Sequence, residues 1–83
     1  MKGNDMGNKA EKLRAWVMEL HDEPVEVNDD TDLIESGLVS SLQFVSMVVE
    51  IEKIHGMPLA PGDITINSMR SIRAVDDKIF QGQ

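Results

Sequence analysis

Cysteine is absent from all 83 residues, so the chain can form no disulfide and offers no thiolate to a metal. A domain of this size then draws its stability from packing alone, and the missing disulfide framework fits a cytoplasmic protein better than a small secreted one. Long apolar runs are missing too: none approaches a membrane span, and the N-terminus lacks the apolar segment of a secretory signal. No membrane insertion is expected. Basic residues are scarce, eight against fifteen acids, and the formal charge of −7 repels phosphate backbones. Nucleic acid is therefore not an expected partner. Histidine occurs only at His21 and His55, with no second His or Cys at ligand spacing, and each falls at the end of an expected helix, where a cation suits the helix dipole. Asp30-x-Asp32 fails as a calcium loop: Ile34 stands at the fifth position, Gly37 comes too late and Ser41 is at the twelfth. No metal site is expected. The chain has no G-x-S-x-G elbow and no glycine-rich phosphate loop, so Ser41 lacks the setting of a hydrolase nucleophile, and no residue is given a catalytic role.

What is present is helical periodicity. Leu13, Trp16, Val17 and Leu20 recur at spacings of three and four, predicting a one-sided helix from Lys9 to about His21, ended by Pro24. Residues 22–39 hold seven acids but also Val25, Val27, Leu33, Ile34, Leu38 and Val39, which predicts a long loop pinned to the core. Residues 1–8 read as a flexible segment, 9–80 as the domain and 81–83 as a frayed tail.

The second helix has a sharper start. Ser40 and Gln43 have the S-x-x-Q spacing of a capping box, and in that register Val39 and Phe44 occupy the two positions of a hydrophobic staple. Ser40 is then the N-cap and Ser41 the first helical residue, its hydroxyl free. Leu42, Val45, Val48, Val49 and Glu52 descend the helix at three-four spacing, with Leu42 expected in the core, while Phe44, Met47 and Ile51 widen the apolar surface so that part of it is expected outside. Gly56 and Pro58 end the helix. A short helical turn is expected near residues 61–66. A last helix is expected from Asn67 or Ser68 through Met69, Ile72, Val75 or Asp76, and Ile79, with Arg70 and Arg73 on solvated surface. The class is all-α, an irregular bundle of three to four helices with a long ordered loop between the first two.

The run Asp32 to Leu42, DLIESGLVSSL, with the apolar helix behind it, resembles the attachment region of acyl carrier proteins, whose usual motif is Gly-x-Asp-Ser-Leu or a close variant. Residues 63–72, DITINSMRSI, resemble the family's entry into its last helix, so the likeness spans about residues 9–79. The resemblance implies that Ser41 bears a covalent 4′-phosphopantetheine arm. It also implies two kinds of partner, a phosphopantetheinyl transferase using coenzyme A and Mg²⁺ and the enzymes that load and transfer acyl or aminoacyl groups. It implies no catalysis by the chain itself, and a monomer. Two residues depart from the family pattern: Ser40 stands where fatty-acid-type carriers have Asp, and His55 where an aromatic residue is common. The first turns of helix two carry Gln43, Phe44, Ser46 and Met47 in place of acids. A partner surface is expected from Glu35, Gln43, Phe44, Met47, Glu50 and Glu52. The expected role is a discrete carrier in a specialised pathway, with a carrier of primary fatty acid synthesis and an unmodified interaction module of the same fold as alternatives.

Overall fold

The computed structural model describes residues 7–81. Its elements are helix α1 (Gly7–Glu19), helix α2 (Ser41–His55), a 3₁₀ turn at Pro61–Asp63, and the short helices α3 (Ile66–Met69) and α4 (Ile72–Val75). The chain after α4 continues in a wider π-type turn, Asp76–Phe80. Among the described residues every regular element is helical, as the periodicity predicts. Helix α1 begins at Gly7, inside the segment read as flexible; residues 1–6 and 82–83 lie outside the described residues.

Helix α1 buries Ala10, Leu13 and Val17, with Trp16 and Leu20 half-buried on the flanks of that stripe. They meet Met47 and Ile51 of α2, Met69 of α3, Ile72 and Val75 of α4, and Ile79 and Phe80 beyond it, in one core. The loop joins this core as predicted: Val27, Leu33 and Val39 are buried, and Val25, Ile34 and Leu38 pack against them half-buried. Its polar backbone needs partners where it crosses the protein. Arg14 Nη1 donates to the Val27 carbonyl at 2.6 Å, Arg73 N–H to the Asp29 carbonyl at 2.9 Å and Leu33 N–H to the Arg70 carbonyl at 2.6 Å. His21 adds a tie of its own, its Nε2 lying 2.9 Å from the Leu38 carbonyl, which requires a proton on that nitrogen.

The last helix breaks in two where one was expected. Thr65, not Asn67 or Ser68, is the first cap, its Oγ1 accepting the Ser68 N–H at 3.1 Å. Ser71 then adopts an extended backbone and its Oγ accepts the Ala74 N–H at 3.0 Å, restarting the helix. A serine whose side chain serves its own backbone competes with helix continuation, and here it wins. Arg70 and Arg73, expected on solvated surface, both pair with the loop: Arg70 with Asp32, and Arg73 with Asp30 and, more distantly, Asp29. His55 is buried at the end of α2, its ring centroid 5.9 Å from that of Phe80 and its Nδ1 3.4 Å from Lys9 Nζ.

Candidate functional site

Ser40 caps α2 as its spacing requires. Its Oγ accepts the Gln43 N–H at 3.2 Å while Gln43 Oε1 accepts the Ser40 N–H at 2.9 Å, so both halves of the capping box are made. Ser41 is the first helical residue, and it is exposed. No hydrogen bond to a described residue engages its hydroxyl. The N–H groups of Ser41 and Leu42 precede the first intrahelical bond, so the first turn presents unpaired donors and the positive end of the helix dipole beside that oxygen.

The approach to Ser41 is built by the loop. Asp32 Oδ1 accepts the N–H of Ile34 at 3.0 Å and of Glu35 at 2.8 Å, folding residues 32–37 into a turn that Gly37 closes with a φ of 83°. Val39 N–H returns to the Leu33 carbonyl at 2.9 Å and delivers the chain to Ser40. Ile34 of this turn, Phe44 of α2 and Ile66 of α3 line a shallow apolar cleft of about 160 Å³, and Ser41 stands in its wall. A larger groove of about 390 Å³, lined by Val49, Glu52, Lys53, Gly56, Met57 and Pro58, lies at the other end of α2.

The expected partner surface needs correction. Met47 is 0% exposed and packs in the core, and Glu52 turns its Oε2 to the Leu59 N–H at 2.9 Å. Phe44, Gln43 and Glu50 are half-buried, the last 4.0 Å from Lys53, and Glu35 is exposed. Leu42, expected inside, is 86% exposed, with Val45 at 65% and Val49 at 49% beside it. The helix is turned relative to the expected stripe, with Phe44 packed against the core as the staple register would place it. Met47, Val48, Ile51 and His55 then follow Phe44 inward, while Leu42, two residues earlier, falls about 200° away. The outward apolar face was therefore readable from the staple register.

A family model described as "Phosphopantetheine attachment site" matches residues 11–75. The chain belongs to this carrier family. A D-alanyl carrier protein of Abiotrophia defectiva is 37% identical over 54 residues, which cover 65% of this chain and 68% of that protein. No solved structure matches significantly. As a phosphopantetheine-binding carrier the protein holds 4′-phosphopantetheine covalently and is a carrier rather than an enzyme. The residues at the start of α2 fit that group: a free, exposed hydroxyl, first-turn amides to face a phosphodiester, and an apolar cleft without a carboxylate in its lining. Among the described residues no His, Cys, Asp or Glu cluster could hold a metal, and no helix is long and apolar enough to cross a membrane.

Proposed function

We propose that Ser41 is the attachment residue and that the chain is an acyl or aminoacyl carrier of a specialised biosynthetic pathway. One observation supports this above the others: two adjacent serines divide the labour, Ser40 capping the helix and Ser41 leaving its hydroxyl exposed and unbonded at the helix's positive end. Ser41 would form the ester, and the first-turn N–H groups of Ser41 and Leu42 would face its negative charge. When bound, the arm supplies the thiol on which cargo rides as a thioester, the one thiol in a chain without cysteine. The likeness to a D-alanyl carrier favours a small aminoacyl cargo.

The partner face we infer is the strip Leu42, Val45 and Val49, beginning beside Ser41, with Glu35, Gln43 and Glu50 around it. Exposed aliphatic side chains contribute little to the free carrier, but on docking each leaves water against the transferase or a loading enzyme. We place the carrier in the cytoplasm as a monomer, where coenzyme A and these enzymes meet it. Incubation of the full chain with coenzyme A and a broad-specificity phosphopantetheinyl transferase, followed by intact-mass and peptide mapping, tests the assignment. Wild type gains one arm, on the peptide containing Ser41, and Ser41→Ala gains none. Wild type that stays unmodified while a control carrier is converted would favour the interaction module instead. Loading of the modified protein by aminoacyl-activating enzymes, against elongation by fatty acid synthase enzymes, separates the two pathways.

A further inference from the structure

Arg70 stands at the junction of α3 and α4, and its contacts end on the turn that leads to Ser41. Its Nε and Nη2 both meet Asp32 Oδ2 at 2.9 Å, while Asp32 Oδ1 accepts the Ile34 and Glu35 amides. Every acceptor face of that carboxylate is thus divided between the last helices and the turn. The Arg70 carbonyl makes a second link by accepting the Leu33 N–H at 2.6 Å, and the Leu33 carbonyl in turn accepts the Val39 N–H at 2.9 Å. Arg70 Nη1 also lies 3.3 Å from Asn67 Oδ1, which ties the guanidinium back to α3. Two sets of hydrogen bonds therefore leave the α3–α4 junction: one runs through Leu33 to Val39, just before the N-cap of α2, and the other through Asp32 to the Ile34 and Glu35 amides of the turn.

The same two segments both line the cleft at Ser41, Ile34 from the turn and Ile66 from α3. Resting on the reading of Ser41 as the attachment residue, we propose that Arg70 and Asp32 are positioning residues for arm attachment: their pair holds the 33–39 turn against α3 and so presents Ser41 to the transferase in an ordered setting. Without the pair the turn must be ordered during docking, and that cost falls on binding. The effect belongs to KM; the hydroxyl and its helix remain, so kcat is kept. Arg73 supplies the comparison. It pairs with Asp30 and Asp29 earlier in the same loop and has no bond to residues 32–39.

The test uses the full chain as Arg70→Ala, Asp32→Asn, the double variant combining these two, Arg70→Lys and Arg73→Ala, each at a temperature where circular dichroism shows it folded. Coenzyme A and a broad-specificity transferase give kcat and KM; amide hydrogen exchange on the unmodified protein reports the turn directly. Arg70→Ala and Asp32→Asn should each raise KM about three- to ten-fold, and together no more than either alone, as for two ends of one link. Both should speed exchange at the Leu33 and Val39 amides and leave the α1 and α2 core amides as in wild type. Arg70→Lys, which keeps the charge, should recover part of the KM. Unchanged KM and unchanged Leu33 and Val39 exchange in Arg70→Ala would overturn the proposal, as would an equal effect of Arg73→Ala. Label on Ser41→Ala would instead overturn the attachment residue itself, an outcome distinct from these.

Discussion

Neighbouring serines with the same side chain have separable effects because one hydroxyl is bonded to the backbone and the other is not. Ser40→Ala removes the acceptor of the Gln43 N–H and should cost about 1 kcal/mol of stability while Ser41 still accepts the arm. Ser41→Ala should do the reverse, changing stability by no more than about 0.5 kcal/mol and abolishing incorporation. Urea denaturation paired with intact-mass analysis of both variants checks the pair of outcomes. Gly37 is a different case. Nothing lies within 4 Å of a Cβ built there, so Gly37→Ala meets no clash; its φ of 83° is what an alanine resists, at about 1 kcal/mol. A denaturation midpoint shifted by that amount, with the arm still taken up, is expected. The capping register was legible in the sequence at this scale because caps and staples are local, read within five residues. The roles of Arg70 and Asp32 were not, because they lie 38 residues apart and an arginine on a short helix reads as solvated surface until the loop is in place.

Helix α2 shows what periodicity leaves open. Its apolar residues occupy about two-thirds of the circumference at about 100° per residue, so three-four spacing alone allows more than one inward face, and the stripe Leu42–Val45–Val49 satisfies the pattern as well as Phe44–Met47–Ile51. The staple selects between them. Met47→Ala should therefore cost about 2–5 kcal/mol, a core truncation, whereas Val45→Ala should stay within about 0.5 kcal/mol. Equilibrium unfolding of the two variants reads the phase of the helix directly, and equal losses would contradict it. Val45→Glu, folded as wild type, should slow transfer of the arm if the exposed strip meets the transferase. The last helix shows the converse limit. Its apolar positions run through the break at Ser71 without a gap in period, so the pattern reads as one helix and only the extended backbone of the serine reveals two.

The whole molecule is acidic, yet three arginines concentrate on one stretch of loop. Arg14 meets Asp29 and Glu11, Arg73 meets Asp30, and Arg70 meets Asp32, so the loop between α1 and α2 is tied to both ends of the fold. The Asp32 carboxyl is held below its ordinary range chiefly by the Glu35 amide, with Arg70 and the Ile34 amide acting in the same direction. A carboxyl lowered on folding stabilises the native state at pH above its unfolded value, and that contribution is lost as pH falls through the folded value. Unfolding free energy measured down an acid series should therefore fall less steeply in Asp32→Asn than in wild type. Added salt should weaken these pairs, the exposed Arg73–Asp30 pair most, while also screening the repulsion of a −7 chain, so the two effects oppose each other and the acid series is the cleaner measurement.

Because the oxygen that starts α2 belongs to Ser40, an ester on Ser41 would disturb no bond on which the fold depends. If Ser41 is the attachment residue, the bare and charged forms should share one backbone, so that the prosthetic group rides on an unchanging platform.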